Sequence, residues 1–335
     1  MTKIFCPEPF HYCEIDANGD VFVCCSSWCG EYAIGNLFEE SLYEIWNCTN
    51  KGKKRTFISQ FENQKFDYCN TDVCLHHRIV DDEDFEKLYT DYKTTNRLKK
   101  LRLNFDLTCN IKCIFCRNKI ISETKEDKAS IEKIYKEIVK TLPYLNECHT
   151  MISFCGVGEF LCSKIHTNLI KEIVDKYPNI KFSFVTNGIL CSEQNLKKLN
   201  LQDRIEVMEV SVNAFTEKTY DKLCIGGDFK KVKENLNYIS SLKKADKINY
   251  FLMNFVITSE NYREMPNFVK WAAEIGAVPQ FLVLMPFGYY EDNKLFERLN
   301  ITNPKHPKYK SFVETLKNPV FKTYQVNISQ NLMNL

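Results

Sequence analysis

The feature that most limits what this chain can fold into begins near residue 100, where short apolar runs alternate with amphipathic stretches. Leu101–Phe105, Met151–Phe154, Phe182–Val185, Glu206–Val212, Phe251–Ile257 and Phe281–Leu284 have the length and the β-branched or aromatic content of strands. Between them, Ile131, Ile134, Ile138 and Leu142, or Val232, Leu236 and Ile239, recur at spacings of three and four. That is the pattern of a helix with one buried face. Strands that alternate with helices assemble a parallel sheet. The six strands predict an α/β fold, a TIM-like partial (β/α)6 barrel spanning residues 99–295.

The chain before that point reads differently. Residues 1–80 are turn-rich and cysteine-rich, and Ala17-Asn-Gly-Asp20 predicts a tight hairpin because Asn-Gly tolerates positive φ. Residues 81–98 are charged and helical in character, and form a linker helix between the small module and the barrel. Residues 296–335 form a C-terminal extension, with a helix around Lys310–Leu316 and a strand-like run at Tyr324–Ile328.

Sixteen cysteines are distributed unevenly: eight in the first 74 residues, three within 109–116, five between 148 and 224, and none after. The N-terminus lacks the apolar run of a signal peptide, and no uninterrupted apolar stretch approaches the roughly 18 residues of a membrane span. The expected location is therefore cytoplasmic, where thiols stay reduced and clustered cysteines bind metal rather than form disulfides. A formal net charge of +2 from 45 basic and 43 acidic residues gives no electrostatic footprint for nucleic acid or an anionic membrane.

Cys109-Asn-Ile-Lys-Cys113-Ile-Phe-Cys116 directly follows the first barrel strand, on a loop at the end where barrels carry function. Three thiolates so spaced can wrap an iron–sulfur cubane and leave its fourth iron open. A structural zinc site would need a fourth ligand, and none lies nearby in sequence. CxxxCxxC with an aromatic before the last cysteine resembles the signature of the radical S-adenosylmethionine (SAM) superfamily. The resemblance implies a [4Fe–4S] cluster on Cys109, Cys113 and Cys116 that chelates SAM and reduces it to a 5′-deoxyadenosyl radical. Phe154-Cys-Gly-Val-Gly-Glu-Phe160 resembles the family's Gly-Gly-Glu-Pro element, which gives Gly158 and Glu159 the amino group of SAM. By the same resemblance, Asn187 ends the third strand, and Ser211 and Asn213 reach the ribose and carboxylate. Val256 and Met285 flank the adenine, and Phe115 packs on it.

Cys6-Pro-Glu-Pro-Phe10, Gly19, Cys24-Cys25, Ile34-Gly-Asn-Leu37, Ser41-Leu-Tyr-Glu-Ile-Trp46, Cys69 and Cys74 resemble the SPASM module of radical SAM maturases. The resemblance implies an auxiliary [4Fe–4S] cluster on Cys6, Cys24, Cys69 and Cys74. Cys13, Cys25 and Cys29 are alternative ligands, and zinc is the alternative metal. In better-known members this module follows the barrel, whereas here it precedes it.

The expected chemistry is hydrogen-atom abstraction from a peptide or small-molecule substrate, with the auxiliary cluster aiding oxidation or cross-linking and a flavodoxin or ferredoxin as electron donor. A competing expectation is a radical epimerase in which Cys155 or Cys224 returns a hydrogen atom. A reading of another class is a non-enzymatic metal-binding scaffold.

Overall fold

The computed structural model describes residues 2–26, 29, 32–47, 52–69, 74, 77–95, 97–122, 125–154, 158–286 and 293–333. Its strands are β1 (Thr2–Phe5), β2 (Tyr12–Asp16), β3 (Asp20–Phe22), β4 (Gly35–Asn36), β5 (Arg78–Asp81), β6 (Lys100–Asn104), β7 (Lys112–Cys113), β8 (Met151–Phe154), β9 (Lys181–Thr186), β10 (Ile205–Ser211), β11 (Cys224–Ile225), β12 (Tyr250–Ile257) and β13 (Val278–Val283). The six strands expected from periodicity are all present, as β6, β8, β9, β10, β12 and β13. The fold is mixed α/β and dominated by parallel strands.

The chain divides into two compact units. The first comprises Met1–Leu107, Glu123–Gly158 and Ile165–Phe182. Here the hairpin expected at Ala17–Asp20 joins β2 to β3, with Gly19 at φ 77° and its N–H donating to the Asp16 carbonyl. The Asp16 carboxylate also accepts from the Asn18 and Asp20 N–H groups and closes the turn. β2 then pairs in parallel with β6, Tyr12 opposite Lys100 through Asp16 opposite Asn104, and β6 pairs in parallel with β8. Their alternate residues Cys13, Ile15, Leu101, Leu103, Ile152 and Phe154 are fully buried, as the period of two requires. The helix Lys125–Glu147 contributes Ile134, Ile138 and Leu142 to the buried set, all on its apolar stripe.

The second unit comprises Thr108–Ser122, Glu159–Lys164 and Ser183–Leu335. The strands of its larger sheet lie in the order β9, β10, β12, β13, and β7 and β11 form a separate two-stranded sheet. Met208 and Val210 on β10, with Met253, Phe255 and Ile257 on β12, are fully buried. Glu209, Asn254 and Gln280 form a polar row across β10, β12 and β13, in which Asn254 Nδ2 donates to Glu209 at 3.1 Å and Gln280 Nε2 to Asn254 at 3.1 Å. The helices Glu193–Lys198, Glu217–Leu223 and Phe229–Lys244 start at Ser192, Thr216 and Asp228. Each of these side chains accepts the N–H three residues on, satisfying a donor that a helix end leaves orphaned.

The C-terminal helix forms as Tyr309–Leu316. The run Tyr324–Ile328, expected as a strand, instead makes one parallel bridge, Asn327 opposite Gln280. Asn327 N–H donates to the Pro279 carbonyl, and the Phe281 N–H donates to the Asn327 carbonyl. Extending the ladder back toward Gln325 would need an N–H at residue 279, and proline has none.

Candidate functional site

The loop that carries Cys109, Cys113 and Cys116 is held in the second unit by backbone bonds. The Cys109 N–H donates to the Ile121 carbonyl at 3.1 Å, and the N–H groups of Cys116 and Arg117 both turn back onto the Cys113 carbonyl. β7 pairs antiparallel with β11, Cys113 opposite Cys224 and Lys112 opposite Ile225, and the Ile114 N–H donates to the Leu223 carbonyl. All three thiols of the loop are half-buried. Arg117, buried behind them, interacts with each: burial works against its charge, but Cys116, Cys109 and Cys113 more than offset this and hold its pKa above the ordinary value. Burial pushes the Cys109 thiol up, and Arg117 opposes that.

Asn187 connects this loop to the end of β9. Its Nδ2 donates to Asn110 Oδ1 at 2.8 Å and lies 3.9 Å from the Cys109 sulfur, while its own N–H donates to the Glu159 carboxylate at 2.7 Å. The Thr186 hydroxyl donates to Glu159 at 2.8 Å and accepts the Gly188 N–H at 3.0 Å. Both Glu159 oxygens thus face the Thr186–Gly188 turn. Glu159 is 1% exposed, and burial pushes its pKa up to about 7 against those hydrogen bonds.

Asn213 sits at φ 63°, and its Oδ1 accepts the Val256 N–H at 2.9 Å, joining the ends of β10 and β12. Ser211 lies opposite Asn254 in the same strand pair. Phe115, Gly158, Ser211, Val256 and Met285 are half-buried. Cys224 is 1% exposed, and its sulfur lies 3.8 Å from that of Cys113. Cys155, the other hydrogen-donor candidate, lies outside the described residues.

A second group of thiols gathers in the first unit. Cys6 interacts electrostatically with Cys74 and Cys69, and Cys24 with Cys29, Cys6, Cys25 and Cys74. Cys6, Cys24 and Cys29 are buried, whereas Cys25, Cys69 and Cys74 are half-buried. Burial pushes the thiols of Cys6 and Cys24 far up, Cys29 to about 12 and Cys69 to about 11. The Cys69 sulfur is 3.2 Å from His77 Nε2. Cys13, weighed as an alternative ligand, is elsewhere: its interactions are with Lys54 and Glu14.

Both thiol groups fit iron–sulfur clusters by the chemistry of their donors. Buried thiols with raised pKa values become thiolates when a metal displaces the proton. Among the described residues no three His, Cys, Asp or Glu side chains are close enough to hold one metal ion. That spacing concerns single ions, whereas the thiolates of a cubane each take a separate iron. Three residues of these sites were missed in the sequence: Arg117, Asn110 and His77. Arg117 adjoins the motif directly and Asn110 lies inside it, so a cation and an amide beside the thiols were the available signals; His77 carries none.

Residues 103–272 match the model of the Radical SAM superfamily, and residues 6–75 match that of SPASM, an iron–sulfur cluster-binding domain. A probable GTP 3',8-cyclase of Methanocaldococcus jannaschii is 27% identical over 206 residues, covering 59% of this chain and 64% of the relative. The FeMo cofactor biosynthesis protein NifB of Methanocaldococcus infernus is 24% identical over 215 residues, covering 58% and 69%. A crystal structure of BtrN in complex with AdoMet and 2-DOIA is 20% identical, covers 42% of this chain and 61% of that one, and has a TM-score of 0.27. The chain spans about three-fifths of the length of the cyclases it matches.

Proposed function

The chain belongs to the radical SAM superfamily and carries a SPASM module, and from that premise we propose that it abstracts a hydrogen atom from a peptide or small-molecule substrate, with an auxiliary cluster assisting oxidation or cross-linking. Membership brings SAM and a [4Fe–4S] cluster as cofactors, and the module brings auxiliary iron–sulfur binding. Such enzymes need a reductant such as flavodoxin or ferredoxin. No described helix is long and apolar enough to cross a membrane.

The observation that carries the reading is the meeting of Cys109, Cys113 and Cys116 around Arg117, in a loop tied by Asn187 to Glu159. Cys109, Cys113 and Cys116 would hold the [4Fe–4S] cluster there, and with SAM bound it would supply the one-electron reduction on which radical hydrogen abstraction depends. The protein's part is position and field. The three cysteines hold the cluster, Arg117 offsets its negative charge, and Asn187 holds the Cys109 end of the loop. Glu159 fixes the Thr186–Gly188 turn, and Ser211, Asn213, Val256, Met285 and Phe115 form the surface toward SAM. Cys6, Cys24, Cys69 and Cys74 hold the auxiliary cluster. Burial favours Cys24 over its neighbour Cys25.

The test is iron and acid-labile sulfide per chain after anaerobic reconstitution, with 5′-deoxyadenosine release under dithionite. About eight irons should fall to about four, with loss of 5′-deoxyadenosine, in the Cys109/Cys113/Cys116 triple alanine variant, since a cubane carries four irons. Cys24→Ala should lose the other four, and Cys25→Ala should keep them. Four irons falling to none, with zinc retained, would remove the auxiliary cluster from the reading.

A further inference from the structure

Cys224 lies 111 residues from Cys113 in sequence, yet the two sulfurs are 3.8 Å apart. The contact is built by the backbone. β11 places Cys224 directly opposite Cys113 in an antiparallel pair, so that both side chains leave the ladder on the same side. The Ile114 N–H to Leu223 carbonyl bond at 3.0 Å closes the pair on its other flank.

The surroundings of Cys224 are dry and closely fitted. Cys224 is 1% exposed and Tyr220 fully buried, one turn earlier on the helix Glu217–Leu223. The Tyr220 hydroxyl has no hydrogen-bond partner among the described residues, although it lies within the electrostatic reach of both Cys224 and Cys113. Gly227 completes the wall, for a Cβ there would stand 2.6 Å from the Tyr220 hydroxyl and 2.9 Å from the Cys224 carbonyl. This corner accepts no larger residue at 227 without moving Tyr220 or Cys224.

We propose that Cys224 is a positioning residue that donates an S–H···S hydrogen bond to the Cys113 thiolate and thereby raises the reduction potential of the SAM-binding cluster. The inference rests on the assignment of Cys113 as a cluster ligand. A ligating thiolate has lost its proton and can only accept, so the proton in this contact belongs to Cys224. Reduction by one electron makes the cluster sulfurs more negative, and a fixed donor in a water-excluded corner stabilises that state more than the oxidised one. Hydrogen bonds to the sulfurs are among the factors that set such potentials. The thiol keeps its proton throughout; the electron comes from the external low-potential donor.

The test is an EPR-monitored redox titration of the anaerobically reconstituted full chain, as wild type, Cys224→Ala and Cys224→Ser. The cluster in question is identified as the one whose signal changes on adding SAM. Cys224→Ala should retain its iron and its SAM-responsive signal, with the reduced-to-oxidised ratio at fixed poise about threefold lower, or about 30 mV for a one-electron couple. Cys224→Ser, which keeps a donor, should lie between alanine and wild type or above wild type. A wild-type potential in both variants overturns the proposal while leaving the cluster assignment intact. Loss of four irons from both variants also overturns it, since Cys224 would then be needed to assemble the cluster rather than to tune it. Absence of any SAM-responsive signal in the wild type would instead remove the cluster assignment on which the inference rests.

Discussion

Glu159 and His166 are both sealed from water, and burial moves their pKa values in opposite directions. Glu159 is raised to about 7, so its favourable contribution is present below about pH 4.5 and is lost as pH rises toward 7. The loss is on the order of 3 kcal/mol. His166, held edge-on between Phe105 and Phe154, is pushed well below the usual imidazole range by burial, with Asp106 opposing. Its contribution is present above about pH 6.5 and is lost as pH falls. The two slopes oppose each other in mildly acidic solution. Glu159→Gln should therefore make stability rise more steeply between pH 5 and 7 in urea melts, and His166→Phe should make it fall; parallel curves for both variants and wild type would contradict the assignment. Of these residues, only the Cys109–Cys116 motif and the Gly-Glu element were legible in the sequence, because cluster chemistry dictates their spacing. His166 was not, since its role comes from burial between Phe105 and Phe154, neither of them adjacent in sequence, and Arg117 was not, since only the folded loop brings all three thiols within its reach.

At the scale of elements, period and turn chemistry carried most of the information. Gly19 illustrates the turn: its φ of 77° is costly for an L-residue, and a Cβ there would meet Asn36 and Phe38 at 3.3 Å. Gly19→Ala should cost about 1–2 kcal/mol, read as a lower denaturant midpoint with an unchanged slope. Phe255, fully buried on β12 between Phe268 and Phe281, gives the strand counterpart. Phe255→Ala should cost about 3–5 kcal/mol by transfer and cavity together. The strands from β6 to β13 announced themselves through such residues. β7 and β11 did not, because two residues are too few to display a period, and yet this pair orients Cys224 toward Cys113. The parallel pairing of β2 with β6 was equally hidden, since neither strand's pattern names its neighbour.

At the scale of the whole molecule, burial disfavours the thiolate form of Cys6, Cys24 and Cys69, so the metal that claims them adds its binding energy to the fold. Removing iron with a chelator should lower the melting temperature of the wild type by more than it lowers that of Cys24→Ala, which has already lost that contribution. Each compact unit is made of three separate stretches of chain, and the first is not complete until Phe182. A ribosome working at 5–20 residues per second therefore needs roughly 10–35 s after making Cys6 before all of that unit's sequence has been synthesised. During this interval the early cysteines emerge without the strand β8 and the helix Lys125–Glu147 that complete their unit. Iron delivery to the nascent chain is then a matter of timing: a fragment released at residue 107 should bind iron poorly, and one released after residue 182 should be the first to hold it.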